Sequence, residues 1–331
     1  MIGATAWLLL FAYKHVQYDA ALWWQFALEG AASRSMRATV AAAIILALLT
    51  FVSFFQTPRR QMHVPSMEDW DTARGIVQKS AQASAYLALT KGKSFFFSED
   101  KDAMLMYGVF RGSWIVMGDP IGPEEKWRDL VWDFCSLVDQ YGGRTVFYEV
   151  SSKTLPLFLD VGLQLVKLGE QARVDLPHFS LLGKARAPQR NAQSRAMREG
   201  ITFEVINPSE VAGVVDELKL VSDSWLDARN AKEKGFSLGS FDAKYLAQCP
   251  VALVKFEGRI VAFANLWLSA DREECAVDLM RYETDAPKVA MDFLFTELLL
   301  WAQTNNFRWF DLGMAPLSGL PDHVLAPMWS K

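Results

Sequence analysis

The sequence predicts an α/β (α+β) fold in which two similar passes of strands and helices follow a transmembrane helix. Three observations carry that reading: an uncharged run near the N-terminus, an element order that repeats, and a basic stretch between the repeats. At 331 residues the chain has room for two domains of ordinary size. Its 51% hydrophobic and 22% charged content is that of a folded protein.

Residues 1–13 are apolar but too short to span a bilayer, and read as the stump of a longer helix. Residues 38–55 carry no charge and lie between Arg34 and Arg37 on one side and Arg59 and Arg60 on the other. That is about the minimum for a bilayer span, with positive charge at both ends leaving its orientation weakly determined. A buried core helix is the alternative. A signal peptide does not fit, because the run starts late and lacks a small-residue cleavage site. Gln56-Thr57-Pro58-Arg59-Arg60 breaks the helix, so residues 1–60 read as the end of a membrane bundle and the soluble part begins near Gln61.

The first pass predicts strands over 86–98, 104–110 and 114–118, ending in the turn Gly118-Asp119-Pro120-Ile121-Gly122. A helix over 124–141 follows, with Trp127, Leu130, Val131, Phe134, Leu137 and Val138 at three- and four-residue spacing. Then come a strand over 145–150, a short helix over 155–161 and a strand over 163–168. The second pass predicts a helix over 211–225 and strands over 251–256, 260–268 and 275–280. Pro287 opens a helix running to about Thr304, and a strand over 307–312 closes the series. Each pass runs through antiparallel strands, a helix and a further strand. Gcn5-related N-acyltransferase folds use that order, so the expectation is two such domains in tandem, 61–182 and 201–331, linked by a basic helix over 183–200.

Residues 183–198 hold Lys184, Arg186, Arg190, Arg195 and Arg198 and no acid, in a chain of net charge -4. Residues 1–60 carry a net +3, which leaves -7 for the rest. An acidic body argues against non-specific nucleic-acid coating and leaves room for one focused anion site. Pro188 marks a helix start, after which Arg190, Arg195 and Arg198 fall within an arc of about 140°. A solvated basic face is the alternative, though such faces usually interleave acids. RNA phosphate and lipid phosphate both stay open on charge alone.

Asp278-Leu279-Met280-Arg281 ends an apolar strand, where an acid and a base are costly unless paired or facing a cleft. Strict alternation puts Asp278 and Arg281 on opposite faces, so they converge only if the strand ends or bulges there. A structural ion pair or two separate rim residues is the competing reading. Residues 311–319, with Asp311, Gly313, Pro316 and Ser318, form the loop after the last strand, a usual place for sites. Neither this loop nor residues 118–122 has the spacing of a P-loop or dinucleotide fingerprint. Cys135, Cys249 and Cys275 and the four histidines show no metal-ligand or triad spacing, so no metal is expected. Residues 283–288 (Glu-Thr-Asp-Ala-Pro-Lys) stand where acyl-CoA-dependent members of the fold carry a glycine-rich pyrophosphate turn, which argues against an acyl-CoA donor.

Together these pieces resemble the C-terminal synthase domain of the phosphatidylglycerol lysyltransferase (multiple peptide resistance factor) family, including its alanyl-transferring members. The matching stretches are Phe95-Phe96-Phe97-Ser98, Gly118-Asp119-Pro120, Gly169-Glu170 through Phe179-Ser180, the basic helix, Glu233-Lys234-Gly235-Phe236-Ser237-Leu238-Gly239, Asp278-Leu279-Met280-Arg281 and residues 311–319. The resemblance implies transfer of lysine or alanine from aminoacyl-tRNA to a glycerol hydroxyl of phosphatidylglycerol, with no cofactor, conferring resistance to cationic antimicrobial peptides. It implies a multi-pass protein of the bacterial inner membrane with this part in the cytoplasm. Asp278 and Arg281 become active-site residues, and Lys184, Arg186, Arg190, Arg195, Arg198, Asp311 and Ser318 substrate contacts. Asp278 would accept a proton or bind the aminoacyl ammonium, and Arg281 would hold a phosphate or the developing oxyanion. On this reading the basic helix guides the charged donor toward Asp278 and Arg281. The family continues past Met328-Trp329-Ser330-Lys331 with an aromatic- and lysine-rich segment, so the resemblance implies a C-terminally truncated fragment, inactive alone if that segment is essential. Two other readings stand beside it: aminoacyl transfer to a peptidoglycan precursor, and a non-catalytic membrane-tethered anion-binding module.

Overall fold

The computed structural model describes residues 34–54, 63–233 and 235–320. The chain divides into two compact units, Met1–Pro58 and Arg59–Lys331. In the first, helix α1 (Arg34–Phe54) covers most of the uncharged run. The side chains described along it, at 41–51, are all exposed, Ile44, Ile45, Leu46, Leu48, Leu49 and Phe51 among them. Among the described residues, however, no helix is long and apolar enough to cross a membrane. The transmembrane helix expected over 38–55 is therefore corrected to an apolar helix, α1, over Arg34–Phe54. The breaker stretch and residues 1–33 and 321–331 lie outside the described residues.

The second unit is an α/β fold with two mixed sheets. It opens on α2 (Met67–Lys79), whose Ser66 and Asp69 form a reciprocal capping box. The strand expected over 86–98 splits in two. Residues Ala83–Leu89 make a 3-10 helix burying Ala83, Ala85, Leu87 and Ala88, and only Ser94–Phe97 forms a strand, β1. A short apolar run looks the same in either state, and here length and burial on several sides favoured the helix. Strands β2 (Met104–Phe110) and β3 (Ser113–Met117) continue antiparallel. Helix α3 (Trp127–Gln140) crosses over, and β4 (Arg144–Tyr148) returns parallel to β3. Leu130, Phe134 and Val138 of α3 pack on Tyr107 and Trp114, whose rings stack at 5.3 Å.

After α4 (Leu155–Asp160) the chain departs from expectation. Residues 163–168 are irregular, and β5 is Gly169–Asp175, which leaves the first sheet to pair antiparallel with the last strand of the second. A Cβ at Gly169 would stand 2.3 Å from the Ala315 carbonyl oxygen, so the close approach of these strands requires glycine. Strand exchange of this kind depends on a long-range partner, which local periodicity does not encode.

The basic run divides between a 3-10 turn (Lys184–Arg186) and helix α5 (Ala187–Arg198), and β6 (Thr202–Ile206) follows, unforeseen in the sequence. Helix α6 (Val215–Ala228), the one-turn α7 (Ala243–Leu246), β7 (Val251–Phe256), β8 (Arg259–Leu268) and β9 (Glu274–Tyr282) come next. Helix α8 (Ala290–Thr304) then crosses to β10 (Trp309–Pro316). The sheet order is β5-β10-β9-β8-β7-β6, and only β9 and β10 run parallel. Both sheets thus show antiparallel strands, then a helix, then a parallel neighbour.

Two features of the second sheet place the site. Strands β9 and β10 pair only over Glu274–Ala276 and Trp309–Asp311, then part. The β8–β9 register shifts between Ala264 and Leu266, so Asp278 and Leu279 together oppose Asn265. This bulge turns Val277 and Met280 to the face packed on α8, and Leu279 to the face packed on α6.

Candidate active site

A cleft of about 2210 Å³ opens beyond the parting of β9 and β10. Its wall includes Met117 and Tyr148 from the first sheet, Ala276, Asp278 and Asp311 from the second, and Ser237 from the strap between α6 and α7.

The bulge decides where Asp278 points. Asn265, fully buried opposite it, accepts the Leu279 N–H at 2.8 Å on its Oδ1, satisfying a donor the broken ladder would orphan. Its Nδ2 donates to the Tyr245 hydroxyl at 3.1 Å, and Trp267 Nε1 donates to the same oxygen at 2.7 Å. With two donors aimed at it, the Tyr245 hydroxyl has one direction left for its own proton, the Asp278 Oδ2 at 2.6 Å. The Gly239 N–H donates to Asp278 Oδ1 at 2.8 Å. Both oxygens are therefore acceptors, the arrangement of an ionised carboxylate. Burial nevertheless pushes the Asp278 carboxyl above its ordinary value, against the bonds from Tyr245 and Gly239 and the charges of Lys93 and Arg281. Burial and the charge of Asp278 push the Tyr245 phenol well up. The result is a carboxylate on the cleft wall that is more basic than a solvated one.

The bulge also brings Arg281 to the same side of β9 as Asp278, the convergence the alternation alone would forbid. Its contacts, however, lie behind the cleft wall. Arg281 is 4% exposed and forms a fork with Glu233, Nη1–Oε1 and Nη2–Oε2 both 2.8 Å. It also donates to Ser222 Oγ and lies 5.3 Å from the Trp225 ring. Its Nη donors reach the strap and α6, and it is absent from the cleft wall. Arg281 thus joins β9 to Glu233 of the strap and to Ser222 of α6.

Asp311, also on the cleft wall, accepts from Gln171 Nε2 and, at 2.8 Å, from the Gly313 N–H. Desolvation and then the charge of Asp311 push the nearby Glu149 carboxyl up. Ser318 lies outside the wall and reaches Glu170 Oε2 at 3.4 Å. The basic run is not brought to Asp278. Buried Ala192 and Ala196 seat α5 against α8, on the face of the sheet opposite Asp278. Arg190 donates to the carbonyls of Leu181 and Gly183, Arg195 pairs with Glu199 at 2.6 Å, and Arg186 stacks 5.3 Å from Phe179. Lys184, Arg195 and Arg198 are exposed. The run's position between the halves was legible, but its apolar stripe of small alanines, which chooses the face, is weak in sequence. Burial pushes the Cys275 and Cys249 thiols up, away from nucleophilic service.

A family model described as phosphatidylglycerol lysyltransferase, C-terminal, matches residues 74–331. The chain belongs to that family. Among phosphatidylglycerol lysyltransferases, that of Bacillus subtilis (strain 168) is 37% identical over 301 residues, 90% of this chain and 35% of the relative. That of Staphylococcus aureus (strain MRSA252) is 35% identical over 246 residues, 74% of this chain and 29% of the relative. The chain thus spans about a third of the length of these curated relatives. Among solved structures, L-PGS from Bacillus licheniformis is 36% identical with a TM-score of 0.74, covering 81% of each chain. The C-terminal domain of a protein described as a lysylphosphatidylglycerol synthetase from Agrobacterium fabrum is 43% identical with a TM-score of 0.72, covering 75% of this chain and 79% of that one.

In this lysyltransferase-family domain, sequence reasoning named Asp278 but missed Tyr245, Asn265, Trp267, Lys93 and Glu233. A buried Asn in an apolar strand was a usable signal, since Asn265 interrupts Ala-Phe-Ala and Leu-Trp-Leu. Lys93, which stands just before Ser94-Phe95-Phe96-Phe97, was another.

Proposed function

We propose that the chain carries the transferase site for moving an aminoacyl group, lysyl or alanyl, from aminoacyl-tRNA to a glycerol hydroxyl of phosphatidylglycerol. The observation that carries this is Asp278, an oriented carboxylate of raised basicity on the wall of a large cleft. The lipid hydroxyl attacks the ester carbonyl of the donor, and its proton passes to Asp278. The tetrahedral intermediate then expels the ribose hydroxyl of the tRNA, which takes that proton back. Exchange of one ester for another needs orientation and proton transfer more than driving force. The cleft exceeds the roughly 300–1,000 Å³ of a small-ligand site, in keeping with two large substrates meeting there. The turn before α8 is held by the Glu283 N–H on Val261 and carries Glu283 and Asp285, a poor cradle for a pyrophosphate. That supports a donor other than acyl-CoA. We place this work at the cytoplasmic side of a bacterial inner membrane; the exposed apolar side chains of α1 favour a membrane neighbour. Exposed Lys184, Arg195 and Arg198 are available to tRNA phosphates at a distance from the reacting ester. The same transfer to phosphatidylglycerol would give the resistance to cationic peptides expected from the sequence.

The test is lipid extraction and mass spectrometry from a host without aminoacyl lipids, expressing wild type or Asp278→Ala. Aminoacyl-phosphatidylglycerol is expected from the wild type alone, and its mass identifies the amino acid. No such lipid from the wild type rejects the reading, and modified peptidoglycan precursors in its place would favour the peptidoglycan alternative.

A further inference from the structure

The first half of the chain sends one charged side chain beneath the strap. Lys93, in the link leading to β1, is 1% exposed, and its ammonium donates to Thr90 Oγ1. The Thr90 hydroxyl spends its own proton on the Leu87 carbonyl at 2.8 Å, which leaves its oxygen free to accept. The Lys93 nitrogen also lies 6.0 Å from the centre of the Phe236 ring, within cation–π range. Phe236 in turn packs on β2, where a Cβ at Gly108 would meet its ring at 3.0 Å. An ammonium buried with one hydroxyl partner is costly unless an opposite charge is near. The carboxylate beneath the same strap is Asp278, which accepts the N–H of Gly239, three residues after Phe236, at 2.8 Å, and its charge acts on the Lys93 ammonium.

The charged and titratable groups around Asp278 come from β9, the strap, α7 and its exit, and the first half of the chain. Arg281 on β9 acts on Asp278 as well, but it is already paired with a carboxylate, Glu233 from the strap. Tyr245 of α7 donates as a neutral phenol. Cys249 just beyond it is a thiol that burial keeps protonated, and Tyr86, pushed up to about 12, faces Cys249. Of the two cations whose charge acts on Asp278, Lys93 is the one with no ion pair of its own among the described residues.

We propose that Lys93 is a positioning residue of the transfer site, its buried ammonium holding Asp278 as the carboxylate and thereby coupling the first half of the chain to the chemistry of the second. It acts through Asp278, since it does not line the cleft. Burial sets the ammonium at about 8, so it is largely charged at neutral pH. The proposal rests on the functional reading above, and the experiment separates the two.

Lys93→Met keeps the length and volume of the stem and removes the charge; Lys93→Arg restores a cation. The kcat/KM for aminoacyl transfer to phosphatidylglycerol vesicles is followed from pH 5 to 9. Loss of the cation makes Asp278 easier to protonate, so in Lys93→Met the acidic limb is expected to move up by about one pH unit. In Lys93→Arg it is expected to return toward wild type. An acidic limb that stays put in folded Lys93→Met overturns the proposal, and Lys93→Gln replaces it if the methionine variant is recovered unfolded. A second readout needs no activity: urea midpoints at pH 7 for wild type, Lys93→Met, Asp278→Asn and the double variant. The effect of Asp278→Asn is expected to differ between the wild-type and Lys93→Met backgrounds, and simple additivity overturns the coupling. If the wild type transfers nothing, the functional reading fails and the urea cycle alone decides on Lys93.

Discussion

Gly239→Ala offers the sharpest test of the site geometry. A Cβ at this position would stand 1.8 Å from Asp278 Oδ2, 2.7 Å from its Cγ and 3.0 Å from Oδ1. The carboxylate must retreat by roughly 1.5 Å to reach ordinary contact distance. It cannot do so and keep both the 2.6 Å bond from Tyr245 and the 2.8 Å bond from the Gly239 N–H. Losing one bond to a charged group costs about 1.5–3 kcal/mol, which at 1.36 kcal/mol per decade is a fall of roughly 10- to 150-fold in kcat/KM. Gly239 does not occupy the left-handed region, so alanine brings a steric change without backbone strain. Gly235 in the same strap has nothing within 4 Å of its would-be Cβ, and Gly235→Ala serves as the control. The assay is initial-rate aminoacyl transfer to phosphatidylglycerol vesicles, with thermal melts on the same samples. A Gly239→Ala protein within threefold of wild type, while Asp278→Ala is dead, would refute the placement of the carboxylate.

Tyr245→Phe removes the proton donated to Asp278 and strands two buried donors, Asn265 Nδ2 and Trp267 Nε1. A loss of about 1–3 kcal/mol in urea-measured stability and at least tenfold in transfer rate is expected. Arg281→Met breaks a fork whose arginine is buried and whose Glu233 is one-third exposed, so a stability loss of roughly 2–4 kcal/mol is expected, with faster proteolysis at 229–242. Arg195→Glu should leave the melting temperature nearly unchanged, its exposed pair with Glu199 contributing under about 1 kcal/mol, while raising the KM for aminoacyl-tRNA; Arg190→Ala should instead destabilise by freeing the Leu181 and Gly183 carbonyls. Lys93 also leaves a signature in alkaline stability. Its folded value of about 8 lies below the ordinary 10.5, so between those pH values the unfolded chain holds a proton the native one has lost, and stability rises with pH. Urea titrations should show wild type gaining on Lys93→Met by about 3 kcal/mol across that window, and no change in the difference would contradict the burial of the ammonium.

Much of the fold was legible where periodicity was long. The α3 stripe from Trp127 to Val138 and the apolar strands β7, β8 and β9 needed only local patterning to be found. Short apolar runs were not: residues 83–89 look like a strand until their burial is known. Asp278 was legible because an acid in an apolar strand is costly without a purpose. Its partners were not, because Tyr245, Gly239 and Lys93 lie 33, 39 and 185 residues away in the chain.

The sequence by itself determined the α/β alternation, the apolar N-terminal run, the basic stretch and the suspicion that fell on Asp278 and Arg281. These are local properties of composition and period. Only the tertiary structure decided that β5 crosses to the second sheet, that α5 turns its charges to the far face, and that Arg281 clamps a strap while Asp278 faces the cleft. Each of those outcomes turns on which distant surface a side chain meets. A bulge at Asn265 or a pair of alanines on α5 settles it through packing and hydrogen-bond satisfaction that no single segment contains.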